Sequence, residues 1–184
     1  MTLANRITFF RLALIPVFCL LIFCYTESRD YLRFAALGVY LLAAISDGMD
    51  GYIARHWDQQ TQLGIRLDPM ADKLLVNLGL VFLAANESLL YNIPRWFPVF
   101  VLTRDVAIVL IAYAIHQRKG TVHVQPSMLG KLTTVVQFCT LIAVLLQWPA
   151  ATYFMWATVL LTFASGMGYL QAAVYQIRTP GAAQ

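Results

Sequence analysis

Five aspartates fall in the stretch Asp47 to Asp72, DGMDGYIARHWDQQTQLGIRLDPMAD, and four of them form two pairs. Asp47 and Asp50 are spaced i,i+3, and Asp68 and Asp72 are spaced i,i+4. Either spacing puts both carboxylates of a pair on one face of a helix. The first pair follows the apolar run Leu37 to Ile45, and the second precedes Leu74 to Ala85. Carboxylates at the mouths of membrane helices are costly unless something neutralises them. Arg55, Arg66 and Lys73 are too few to do so, and a bound divalent metal is the natural alternative. Oxygen-only ligands suit Mg²⁺, Mn²⁺ or Ca²⁺. Two carboxylates from each of two neighbouring helices can hold two ions close together, clamping the attacking and leaving oxygens of a displacement at phosphorus. Gly51, Ala54 and Gly64 are small enough for close approach, and Arg55 beside them is a fixed cation suited to phosphate.

Other residues of the same types carry blander meanings. Asp47 and Asp50 alone read as interfacial helix caps, and Asp58 reads as a solvated loop residue. Lys73 is expected to snorkel or to pair with an aspartate. His56, His116 and His123 lack mutual ligand spacing, and Trp57, Trp96 and Trp148 read as membrane-interface anchors.

The elements that must position the aspartates are membrane helices. The 184 residues are one domain's worth, residues 1–184 reading as a single unit. With 60% apolar residues, 12% charged and a mean hydropathy of +0.66, the composition is not that of a soluble domain. Apolar runs of roughly 18 to 20 residues match a bilayer core. The fold class expected is all-α: a polytopic membrane protein with six transmembrane helices in one bundle. The spans are Arg6 to about Cys24, Phe34 to the first aspartate pair, Leu67 to Ala85, Trp96 to His116, Lys131 to Trp148 and Thr152 to Ile177. Pro69 is expected in the first turn of the third span, where its missing N–H costs nothing. Cys19, Cys24 and Cys139 show no disulfide or CxxC pattern. The net charge of +4 is scattered between spans, which points to anionic lipid and not to nucleic acid.

Six spans put both termini on one side. Arg6, Arg11, Arg55, Arg66, Arg118, Lys119, Lys131 and Arg178 then fall inside, and only Arg29, Arg33 and Arg95 outside. That asymmetry predicts N-in, C-in topology, with both aspartate pairs at the cytoplasmic surface.

The order D-x-x-D-G-x-x-A-R, eight residues, then G-x-x-x-D-x-x-x-D resembles the signature of the CDP-alcohol phosphatidyltransferase family. Asp47, Asp50, Gly51, Ala54, Arg55, Gly64, Asp68 and Asp72 match all eight fixed positions, and length and span number agree over nearly the whole chain. The resemblance implies transfer of a phosphatidyl group from CDP-diacylglycerol to an alcohol, with release of CMP. It implies two divalent ions, Mg²⁺ or Mn²⁺, on Asp47, Asp50, Asp68 and Asp72. Gly51, Ala54, Arg55 and Gly64 would shape the CDP pocket, and Asp72 is the implied general base. Since a metal-bound carboxylate is a weak base, the proton transfer is expected to be late. The family also suggests a homodimer and the inner or plasma membrane of a bacterium.

The acceptor is expected to be glycerol-based. NRITFFRLALIP, LDPMADKLL and GKLTTVVQ are similar to the phosphatidylglycerophosphate synthase branch, which implies glycerol 3-phosphate. In that branch the fourth-span Arg is usually followed by Glu; here Asp105 follows Arg104. RDV with VQPSMLGKLTT and Gln137 is closer to the CMP-forming cardiolipin synthases, which use phosphatidylglycerol. Arg66, Arg104, Arg118 and Lys131 are candidate cations for an acceptor phosphate; Arg104 with Asp105 reads equally as an ion pair joining helices. A small transporter is the rival of another class, but neither internal repeats nor broken helices are evident.

Overall fold

The computed structural model describes the backbone of residues 3–56, 62–119 and 128–178, and the side chains within 8–46, 70–111, 113–114, 117 and 128–171. The described chain is helical throughout: α1 (Leu3–Phe23), a 3-10 turn (Glu27–Arg29), α2 (Tyr31–His56), α3 (Gln62–Ala85), α4 (Trp96–Lys119), α5 (Met128–Leu145) and α6 (Ala151–Arg178). No strand occurs among the described residues. At about 1.5 Å per residue, even the 18-residue α5 is about 27 Å long, close to the thickness of a bilayer core.

α1 packs against both α2 and α3; α3 also meets α4 and α5; α6 packs on α4 and α5. The core between them holds Phe18 and Ile22 of α1, Tyr40 of α2, Leu80 and Leu83 of α3, Val101 of α4 and Leu141 of α5, all with essentially no exposure. Gly79 makes this crossing possible. A Cβ there would meet Leu141 at 3.1 Å and Phe18 at 3.2 Å, so α1, α3 and α5 approach one another across a bare backbone position.

Large apolar side chains also stand on the outer surface. Leu20, Phe23, Val109, Tyr153, Leu160 and Phe163 all stand exposed, the last two at 69% and 63%. A water-soluble domain does not leave such a belt uncovered; lipid is the solvent it fits. Among the described residues, Met128–Leu145 and Ala151–Gln171 are long and apolar enough to cross a membrane, and Thr8–Phe23 and Tyr31–Ser46 are shorter apolar stretches.

Helix ends are closed by specific contacts. Asn86, just past α3, donates through Nδ2 to the carbonyls of Ile22 at 2.7 Å and Tyr25 at 3.1 Å, satisfying acceptors left over at the end of α1. Arg33 donates from Nη1 to the carbonyl of Leu145 at 2.6 Å, tying the start of α2 to the end of α5. α5 ends in a Schellman motif: Trp148 N–H reaches the Ala143 carbonyl and Gln147 N–H the Val144 carbonyl, with Gln147 at φ 52°.

Of the expected boundaries that shift, two bear on the aspartates. α3 begins at Gln62 instead of near Leu67, so Pro69 is its eighth residue and not part of the first turn. α2 runs on through the first aspartate pair to His56. The residues flanking the aspartates therefore extend the two helices.

Candidate active site

The motif lies on two helices. Asp47, Asp50, Gly51, Ala54 and Arg55 belong to the last turns of α2, and Gly64, Arg66, Asp68 and Asp72 to the first half of α3. Helical backbone at these positions gives each aspartate pair the shared face that its spacing implies. The side chains of Asp47, Asp50, Gly51, Ala54, Arg55, Gly64, Arg66 and Asp68 lie outside the described residues, as does that of Arg118 near the end of α4.

Asp72 is described fully. It is the eleventh residue of α3, about 15 Å along the axis from the helix start. Its carboxylate is 39% exposed and its Oδ1 accepts a hydrogen bond from Nη1 of Arg11 at 2.8 Å. Arg11 comes from α1 and is completely buried. Two heights of contact, this pair and Asn86 with Ile22 and Tyr25, show that α1 and α3 run parallel.

A second polar group lies beside it at the level of Lys73. Asp105 Oδ1 receives both Lys73 Nζ at 3.0 Å and Arg104 Nη1 at 2.9 Å, while Asn77 Nδ2 donates to Oδ2 at 3.3 Å. Lys73 thus pairs with an aspartate, as expected, and the partner is on α4. Arg104 also donates from Nε and Nη2 to Ser165 Oγ on α6, at 3.1 and 2.7 Å, and lies over the Tyr169 ring. All three of its nitrogens are engaged by protein, which is the helix-joining arrangement. Lys131, in the first turn of α5, is exposed and makes no ion pair among the described residues.

The donor set fits a hard divalent cation. Asp72 offers a half-exposed carboxylate oriented by a guanidinium, and the three other aspartates of the motif, Asp47, Asp50 and Asp68, complete an all-oxygen set of the kind Mg²⁺ and Mn²⁺ take. Sequence reading missed Arg11, Asn77 and Ser165 as parts of this region. Arg11 had a legible signal: a cation four residues into an apolar stretch is a functional candidate by default.

Comparison with known proteins gives the family. The family model for CDP-alcohol phosphatidyltransferase matches residues 1–164. The chain is 34% identical, over 95% of its length and 83% of the relative's, to a probable phosphatidylglycerophosphate synthase of Mycobacterium tuberculosis. It is 31% identical to the CDP-diacylglycerol--glycerol-3-phosphate 3-phosphatidyltransferase of Bacillus subtilis, over 91% of this chain and 92% of that one. It is also 29% identical to the CMP-forming cardiolipin synthase of Homo sapiens, over 83% of this chain but 52% of that longer one. Helices that expose large apolar side chains, a complete eight-position motif on two of them and a match over most of the chain lead to one conclusion: this is an enzyme of the CDP-alcohol phosphatidyltransferase family.

Proposed function

We propose that the protein transfers the phosphatidyl group of CDP-diacylglycerol to glycerol 3-phosphate, forming phosphatidylglycerophosphate and releasing CMP. The observation that carries this reading is the unbroken motif on α2 and α3 in a chain that matches glycerol-3-phosphate phosphatidyltransferases nearly end to end. Asp47, Asp50, Asp68 and Asp72 would hold two Mg²⁺ or Mn²⁺ ions. Bound there, the ions supply charge neutralisation at the pyrophosphate and at the leaving oxygen.

The chain's own residues do the rest. Gly51, Ala54 and Gly64 let the cytidine lie close to backbone, and Arg55 balances phosphate charge. Asp72 takes the proton of the acceptor hydroxyl as that oxygen bonds to the phosphatidyl phosphorus. The bond from phosphorus to the CMP oxygen breaks, and CMP leaves with the electron pair. Of the four cations assigned to the acceptor, Lys131 fits best, with Arg66 and Arg118 as companions, because Arg104 already serves Asp105 and Ser165.

That engagement of Arg104, with Asp105 beside it, also favours a second reading, a CMP-forming cardiolipin synthase with phosphatidylglycerol as acceptor. In either case six membrane crossings, N-in and C-in in a bacterial inner membrane, and a homodimer complete the proposal. The charge asymmetry of the connections supports the orientation. Metal-dependent CMP release, with each acceptor offered separately, tests the whole reading.

A further inference from the structure

We propose that Arg11 is a positioning residue for Asp72, holding that carboxylate in one orientation for its work in the site. The inference rests on the proposed metal role of Asp72. Three observations carry it. Arg11 is completely buried, whereas the Asp72 side chain to which it donates is 39% exposed. The contact spans 61 residues of sequence at 2.8 Å, so it is made by the fold and not by a local turn. The helix that carries Arg11 packs against both helices that carry the motif, so α1 is the element in place to hold them to each other.

A buried guanidinium is expensive to keep unless it is paired, and its rigid planar fork fixes a carboxylate where a flexible ammonium does not. A stronger hydrophobic core at position 11 was available to this helix, whose neighbours Ile15, Phe18 and Ile22 are buried and apolar. Placing an arginine there instead makes sense if the orientation of Asp72 matters. Groups that orient metal ligands in this way typically contribute 10–100-fold to metal affinity or activity.

The test is direct Mn²⁺ binding to the purified, metal-free full-length protein in detergent, followed by the electron paramagnetic resonance signal of free Mn²⁺, beside thermal unfolding. Arg11→Lys keeps the charge and loses the fork. It should bind Mn²⁺ about tenfold more weakly than wild type while unfolding within a few degrees of it. Arg11→Gln, which keeps an amide NH2 donor but loses the charge and the fork, guards against misfolding of the lysine variant and should also weaken binding. A folded variant with wild-type Mn²⁺ binding overturns the proposal. So does failure of both variants to fold, which assigns Arg11 to the fold alone. A wild-type protein that binds no Mn²⁺ overturns the metal site itself, and with it this role for Arg11.

Discussion

Lys73 Nζ lies 3.0 Å from Asp105 Oδ1, so the residue next to Asp72 in α3 is anchored to the middle of α4. The same oxygen accepts from Arg104 Nη1, and a single carboxylate thereby serves two cations. Arg104 in turn is fastened to α6 through Ser165. The half of α3 that carries Asp72 is thus braced from α1 by Arg11 and from α4 and α6 by this chain of contacts.

The brace assigns Arg104 a measurable character. Arg104→Lys removes the forked contact with Ser165 and should lower stability by about 2 kcal/mol, the scale of a lost hydrogen bond to a charged group. The acceptor KM of the folded variant should stay within about threefold of wild type. Thermal unfolding and initial-rate kinetics on the same preparation check both. A tenfold rise in acceptor KM at unchanged unfolding temperature would instead make Arg104 a phosphate ligand.

At the opposite end of the bundle, pH gives a separate handle. The Arg33 guanidinium hydrogen-bonds Asp30 and holds its carboxyl below the usual carboxylate range. A carboxylate whose folded pKa is depressed adds stability above its unfolded pKa, about 4, and loses it as pH falls through the folded value. Asp30→Asn should therefore unfold at lower temperature than wild type at pH 7, and the gap should close on acidification below about pH 4. A gap that stays constant down to pH 3 contradicts the assignment.

Gln147 sits in the left-handed region at φ 52°, the position of a Schellman motif that glycine ordinarily fills. A non-glycine residue there costs about 1–2 kcal/mol. The Gln147 side chain recovers part of this by donating to Tyr25 Oη at 3.2 Å. Gln147→Gly should therefore stabilise the protein by about 0.5 kcal/mol, seen as a small rise in unfolding temperature. A clear fall would mean that the bond to Tyr25 outweighs the backbone strain.

Much of this was legible in the sequence because two strong signals agreed. Apolar run lengths gave six helices, and the register of the aspartates gave the site helices and the family. What stayed hidden depends on contacts between residues far apart in the chain. Arg11 looked like one more inside charge, because nothing local reveals that α1 lies against α3. The partner of Lys73 was sought among aspartates in general and is Asp105, which only the packing of α3 on α4 brings near. The early start of α3 escaped because Gln62, Gly64 and Arg66 interrupt the apolar run and Pro69 resembles a helix start, while the helix runs through both. The end of α5 was misplaced by three residues because its terminating turn uses Gln147 where a glycine would have announced it.

The central claim is metal-assisted phosphatidyl transfer by the α2–α3 aspartates, and CMP release tests it most directly. Purified protein in detergent would receive CDP-diacylglycerol with Mg²⁺ or Mn²⁺, and glycerol 3-phosphate or phosphatidylglycerol in separate reactions, with EDTA as control. The account predicts CMP release with glycerol 3-phosphate, none with EDTA, and loss of at least 10²-fold in Asp50→Asn and Asp68→Asn, about 3 kcal/mol of transition-state stabilisation or more. Release with phosphatidylglycerol alone would move the acceptor to the second reading. Near-normal release in either aspartate variant, or release that persists in EDTA, would contradict the account.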